Sequence, residues 1–252
     1  MKVFSNIQEW RQFRASLADQ PGLGFVPTMG NLHQGHATLY QRAKTENQLL
    51  AASLFVNPTQ FNNAEDFSLY PRTLEDDLSL LEQLGVDYCL LPDEQSMYPD
   101  AYRYQIHEKE LSQCMEGEFR PGHFNGMLTV VLKLLNLIQP QKAYFGEKDY
   151  QQYLLIKGMA EALFLPIEII PCPTIREPSG LACSSRNNRL SPEQRAQADQ
   201  FAQLFHQNKS LDEIEKELLA SGFQIEYLQE WQQRRFIALQ VGQVRLIDNY
   251  AL

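Results

Sequence analysis

The stretch Pro27-Thr-Met-Gly-Asn-Leu-His-Gln-Gly-His36 sets two glycines, Gly30 and Gly35, among two imidazoles, His33 and His36. Glycine lets the backbone approach an anion closely, and imidazole nitrogens donate hydrogen bonds to phosphate oxygens. The Gly30 to Gly35 spacing is that of a phosphate loop, but His36-Ala37 stands where Lys-Ser/Thr completes a Walker A site, so that motif fails. The blander reading is a glycine-bearing turn with histidines at a helix start. A metal reading of His33 and His36 lacks both the His-Glu-x-x-His pattern and a third ligand.

Other polar constellations recur along the chain. Phe55-Val-Asn-Pro-Thr-Gln-Phe61 offers the Asn57 and Gln60 amides, which can accept from a hydroxyl and donate to a carboxylate, as a small hydroxy acid requires; an Asn-Pro turn with a surface glutamine is the plainer reading. In Phe145-Gly-Glu-Lys-Asp-Tyr-Gln-Gln152, Lys148 suits a phosphate, Gly146 gives backbone access, and Asp149 suits a ribose, a cation or a helix cap. Leu181-Ala-Cys-Ser-Ser-Arg-Asn187 joins two hydroxyls to a guanidinium, good oxyanion chemistry or a polar loop. Asp76 and Asp77 could hold Mg²⁺, although acids in a first helical turn also complement the helix dipole, which is the favoured reading. Arg120-Pro-Gly-His-Phe-Asn-Gly126 reads as a tight turn or a substrate wall, and the isolated His107 and His206 as structural or exposed.

These groups fall where strands and helices should meet. Apolar runs predict buried strands at 22–27, ended by Pro27, and at 49–56, 86–91, 142–146 and 166–170. Helical patterns intervene at 35–47, 73–84 (capped by Thr73), 124–138 and 149–163. Strands separated by helices imply right-handed crossovers, hence an α/β fold with a parallel sheet flanked by helices. Ligands then bind beyond the carboxyl ends of the strands. After about residue 175 the pattern changes to two helices, at 192–207 and 211–220, and three short strands at 223–228, 236–241 and 244–247. The division expected is residues 1–175 and a small α+β domain at 176–252.

Twenty-two basic against thirty-one acidic residues leave a net charge of −9, a poor basis for general nucleic-acid binding. The first ten residues lack the apolar core of a signal peptide, and the longest apolar run, 129–138, contains Lys133 and Asn136 and is too short to span a bilayer. Four scattered cysteines read as reduced thiols. The expectation is a cytoplasmic protein with neither membrane nor nucleic acid as partner.

The loop at 27–36 taken together with 55–61, 120–126, 145–152, Ser184-Ser-Arg-Asn187 and the closing Arg245-Leu-Ile-Asp-Asn249 resembles the pantoate–β-alanine ligase family, over essentially the whole chain. The His-x-Gly-His piece is similar to the HIGH-type signature of nucleotidylyl transferases. The resemblance implies a Rossmann-like domain with a smaller C-terminal lid, usually in a cytoplasmic homodimer. The activity implied is ATP-dependent condensation of (R)-pantoate with β-alanine through pantoyl adenylate, with Mg²⁺ accompanying the nucleotide and AMP and pyrophosphate released. By the same resemblance Met29, Gly30, Asn31, Leu32, His33, Gln34, Gly35 and His36 form an ATP loop, with His36 matching the proton donor. Gly146, Glu147, Lys148 and Asp149 form a second ATP segment, and Ile175, Cys183, Ser184, Ser185 and Arg186 supply the remaining contacts. Gln60 matches a ligand of pantoate and β-alanine, and Gln152 a second ligand of pantoate. His33, His36, Lys148, Ser184, Ser185 and Arg186 are the groups expected to offset the charge of the reacting phosphate, and closure of the lid would protect the acyl adenylate from water. Ser179 and Cys183 depart from the family's usual residues, and the C-terminal region is short. The rival readings are another nucleotidylyl transferase, which Gln60 with Gln152 argues against, a non-catalytic nucleotide sensor and, more remotely, a zinc hydrolase.

Overall fold

The structure is a computed structural model that describes residues 1–17 and 22–252. In chain order the first part comprises β1 (Lys2–Phe4), α1 (Ile7–Ser16), β2 (Leu23–Thr28), α2 (Gln34–Glu46), β3 (Leu49–Leu54), the short α3 (Ala64–Ser68), α4 (Leu74–Gln83), β4 (Tyr88–Leu90), the short α5 (Glu94–Met97) and α6 (Glu116–Phe119), α7 (His123–Ile138), β5 (Lys142–Gly146), α8 (Tyr150–Ala162) and β6 (Glu168–Cys172). The strands form one parallel sheet in the order β1-β4-β3-β2-β5-β6. The second part holds α9 (Pro192–Phe205), α10 (Leu211–Ala220) and an antiparallel sheet β7 (Gln224–Trp231), β8 (Arg234–Val241) and β9 (Val244–Ala251).

The chain divides into two compact units. The first contains Met1–Leu32, His36–Gly146 and Gln151–Cys172; the second contains His33–Gly35, Glu147–Tyr150 and Pro173–Leu252. In the first, Val26, Leu50, Ala52, Leu81, Cys89 and Tyr144 are wholly buried between sheet and helices. α7 is buried along most of its length, with only a narrow polar side at Asn125, Lys133 and Asn136. The second unit has its own core, in which Phe201 and Phe205 of α9 and Ile214 and Leu218 of α10 cover Ile237 and Leu239 of β8. Ser191 and Ser210 open α9 and α10 with capping boxes closed by Gln194 and Glu213.

Two expectations need correction. Pro27 does not end β2: pairing with β3 continues through Pro27↔Ser53 and Thr28↔Leu54, whereas pairing with β5 stops at Phe25↔Ala143. Proline has no amide hydrogen to give a ladder, so one side of the strand is released while the other persists. Thr73 stands at the N-cap of α4 but makes no capping hydrogen bond; its hydroxyl donates instead to Asp77 Oδ2 at 3.2 Å.

The amino-terminal residues, where the sequence analysis placed no element, form β1 and α1. Asn6 caps α1 by accepting from the Gln8 and Glu9 amides. Trp10, fully buried, anchors it by donating its indole N–H to the Leu137 carbonyl at 2.7 Å. Burial of a side chain of that size contributes about 2–3 kcal/mol.

Candidate active site

The strand order reverses between β2 and β5, and such a switch point is where an open α/β sheet binds ligands. The loop after β2 begins with two left-handed residues, Gly30 at φ +87° and Asn31 at φ +52°. Glycine adopts this conformation freely; asparagine does so at some cost. The loop is held from outside. Asp77, 4% exposed on α4, accepts the Asn31 amide at Oδ2 (2.9 Å) and the Leu32 amide at Oδ1 (2.8 Å). A Cβ at position 30 would lie 2.9 Å from the same Oδ2, which favours glycine on steric grounds as well. Asn31 Nδ2, in contrast, is buried with no hydrogen-bond partner among the described residues.

Beyond β3, Pro58–Gln60 makes a single 3-10 turn. Asn57, 1% exposed, donates from Nδ2 to Gln60 Oε1 (3.1 Å) and the Gly126 carbonyl (3.3 Å), while its Oδ1 accepts from Tyr98 (2.7 Å) and Thr59 (3.1 Å). Burial raises the Tyr98 pKa to about 12, so the phenol remains a donor. Asn57 is therefore fully occupied inside the protein and orients Gln60, rather than serving a ligand itself. With its oxygen fixed, Gln60 turns its Nε2 toward Met29, 3.2 Å from Sδ.

The 120–126 segment braces the same residue from behind. Arg120 donates to His123 Nε2 (3.1 Å), so the His123 proton lies on Nδ1 and is given to the Gln60 carbonyl at 2.8 Å. Gly126 lets α7 approach: a Cβ there would fall 2.2 Å from the Thr59 carbonyl oxygen. Of the adjacent glutamines on α8, Gln151 is buried and bonded to the Leu111 and Cys114 carbonyls and the Glu116 amide. Gln152 is partly exposed, and His36 lies in the first turn of α2.

The second unit carries another group of the expected residues. His33 Nδ1 accepts the Gly35 amide at 3.1 Å, in the first turn of α2, where amides lack an intrahelical acceptor. The acceptor role places the proton on Nε2. Burial, and then repulsion from Lys148, lowers the His33 pKa to about 4, with Asp149 opposing. His33 is thus neutral at pH 7 and offers a polar N–H donor. Lys148 Nζ lies 3.7 Å from an Asp149 oxygen. Cys183 donates its amide to the Ile175 carbonyl at 2.9 Å. Ser184 accepts the Arg186 amide at 3.3 Å at the head of the 3-10 turn Ser185–Arg189. Ser179 accepts the Leu181 amide at 3.5 Å, a short-range bond that aspartate also makes.

Sequence reasoning missed the loop clamp by Asp77, the phenol of Tyr98 and the pairing of His206 with buried Asp248 at 2.9 Å. The Asp76–Asp77 pair does not fit a resident magnesium ion. Both Asp77 oxygens accept backbone amides, Asp76 is exposed, and among the described residues no cluster of three or more His, Cys, Asp or Glu is arranged to hold a metal.

A doubly wound parallel sheet with a clamped glycine loop at its switch point and an oriented amide beyond the next strand defines an α/β enzyme of nucleotide-dependent chemistry. Comparison with known proteins narrows the class. Residues 2–251 match the family described as Pantoate-beta-alanine ligase. The chain is 60% identical over 252 residues to a pantothenate synthetase of Legionella pneumophila (strain Corby), covering 100% of each, so the compact C-terminal region is common to both. It is 50% identical over 248 residues to one of Coxiella burnetii (strain Dugway 5J108-111), covering 98% of this chain and 96% of the relative. A crystal structure of pantoate-beta-alanine ligase from Francisella tularensis, complexed with beta-gamma ATP and beta-alanine, matches with a TM-score of 0.96 at 44% identity, covering 100% of this chain and 97% of that one. The chain belongs to the pantoate-beta-alanine ligase family and is a ligase. No helix among the described residues is long and apolar enough to cross a membrane.

Proposed function

We propose that this chain condenses (R)-pantoate with β-alanine in two steps. The pantoate carboxylate attacks the α-phosphorus of ATP, breaking the bond to pyrophosphate and giving pantoyl adenylate. The β-alanine amine, once deprotonated, then attacks the acyl carbon, and AMP leaves. The observation that carries this reading is the Gln60 amide, fixed by Asn57 and His123 and turned toward Met29 at the phosphate loop. An amide placed to bind a small acid beside a nucleotide loop suits acyl activation better than dinucleotide formation.

The chemistry requires placement and charge compensation more than covalent help. Gln60 and Gln152 hold pantoate, and Gln60 then serves β-alanine. Met29 to His36, Gly146 to Asp149, Ile175 and Cys183 to Arg186 receive ATP, the last group partly through backbone amides. The buried Nδ2 of Asn31 suits a phosphate oxygen. Lys148 and Arg186 offset the developing negative charge, and neutral His33 donates from Nε2. His36 is the remaining imidazole donor. Magnesium enters as the counter-ion of ATP, and the enzyme works as a cytoplasmic homodimer.

The test is pantoate-dependent exchange of pyrophosphate into ATP without β-alanine. Exchange that requires pantoate is the expected result. No exchange with pantoate or close analogues, in folded protein, would overturn the reading.

A further inference from the structure

One buried side chain of the second unit has no part in substrate binding or chemistry as proposed. Asn249 on β9 is 4% exposed and donates both Nδ2 hydrogens to consecutive carbonyls of the Lys148 turn, Glu147 at 3.0 Å and Lys148 at 2.8 Å. Its own orientation is fixed twice. Arg234 donates to Asn249 Oδ1 at 2.5 Å while its guanidinium lies 3.8 Å from the centre of the Tyr150 ring. The Asn249 amide donates to Asp248 Oδ1 at 2.7 Å. That carboxylate is locked by two Arg176 bonds (2.7 and 2.9 Å) and by His206 (2.9 Å).

We infer that Asn249 is a positioning residue for Lys148 in adenylate formation. Two consecutive carbonyls held by one planar amide fix two successive peptide planes, and with them the direction in which the Lys148 side chain leaves the backbone. A lysine stem is flexible, so without a fixed root its charge is spread over many positions. A displacement of about 1 Å in a charge-compensating group can cost on the order of 100-fold in rate. Only an amide suits this position, because a carboxylate would face both carbonyls with oxygens and alanine would leave them without these donors. This inference rests on the proposed role of Lys148, and the experiment separates the two.

Asn249→Ala, the isosteric Asn249→Asp, Lys148→Ala and the Asn249→Ala/Lys148→Ala double variant are compared in three assays. These are thermal melting, pantoate-dependent ATP–pyrophosphate exchange, and capture of supplied pantoyl adenylate by β-alanine. The expected result is a loss of exchange of about 10- to 100-fold for both Asn249 variants, with capture within about two-fold of the unsubstituted enzyme. With Lys148 already replaced, Asn249→Ala should cost less than about two-fold more, because contacts that act through one another are not additive. Should Asn249→Ala fail to fold, Asn249→Asp decides between the two assays. Equal losses in exchange and capture, or an undiminished loss in the double variant, would overturn the inference and leave Asn249 a structural brace. Near-normal exchange by Lys148→Ala would instead show that the Lys148 assignment is wrong, and the inference would fall with it.

Discussion

Asp77→Ala tests whether the phosphate loop is shaped from outside itself. In the native protein the carboxylate accepts the Asn31 amide at 2.9 Å, the Leu32 amide at 2.8 Å and the Thr73 hydroxyl at 3.2 Å. The hydroxyl of half-buried Thr73 can turn to water, but Asn31 is buried and its amide cannot, and Leu32 is half-buried. A buried amide that loses its partner costs about 1–3 kcal/mol, so two cost about 2–6 kcal/mol. Water entering the space left by the carboxylate offsets part of this, leaving a net loss of about 3 kcal/mol. For a unit of this size that corresponds to a fall in Tm of about 6–12 °C. Function should suffer as well, because Asn31 at φ +52° stores about 1 kcal/mol of backbone strain that the clamp opposes. Asp77→Asn keeps one acceptor but turns an NH₂ toward an amide donor, and should lose about half as much stability. Calorimetric melting, together with the ATP dependence of pyrophosphate exchange, measures both effects. A fall in Tm below about 2 °C with an unchanged KM for ATP would refute the clamp.

Three further outcomes follow from the same geometry. Gly126→Ala places a methyl group 2.2 Å from the Thr59 carbonyl oxygen, so the Pro58–Gln60 turn must move off α7; a loss of about 2–4 kcal/mol with weakened pantoate use is expected, and unchanged melting and kinetics would show that the turn yields freely. Gln152→Ala should raise the KM for pantoate with the melting temperature unchanged, and an unaltered KM would remove Gln152 from the site. Stability should depend on His33 between pH 6.5 and 4. Its folded pKa of about 4 lies below the ordinary value of 6.5, so the unfolded chain binds the proton first as pH falls and stability is lost on acidification, with no contribution above pH 6.5. The partly exposed ring limits this to about 1 kcal/mol. Melting curves of His33→Gln, recorded from pH 7 to 4.5, should fall less steeply than those of the native protein, and parallel curves would contradict the shift.

The parts of the fold that could be read from sequence are those in which local chemistry and burial coincide. The runs at 23–28, 49–54 and 142–146 are apolar because both faces of a parallel sheet are covered, and the alternation of strand and helix then leaves few topologies. β1 and α1 escaped because a three-residue strand carries almost no period, although Asn6 followed by Ile7, Trp10 and Phe13 is a capped helical spacing. The loop residues at 29–36, Gln60 and Lys148 stood out because their types are unusual at strand ends.

The chemical inventory and the α/β order of the elements were thus present in the linear chain, whereas the work of each polar group came from its neighbours in space. Asp77 reads locally as a helix-dipole residue, and its work on Asn31 and Leu32 depends on contacts 45 and 46 residues away. Asn57 and Gln60 are chemically alike in sequence, and only the converging phenol of Tyr98 and carbonyl of Gly126 commit Asn57 to the interior. His33 reads in sequence as a donor to phosphate, and only its burial beside Lys148 settles that it does so as a neutral ring. Asn249 meets the Lys148 turn across a separation of 101 residues. Hydrogen bonds and charges act over a few ångströms of space whatever the distance along the chain, so the role of a polar residue is fixed only when folding supplies its neighbours.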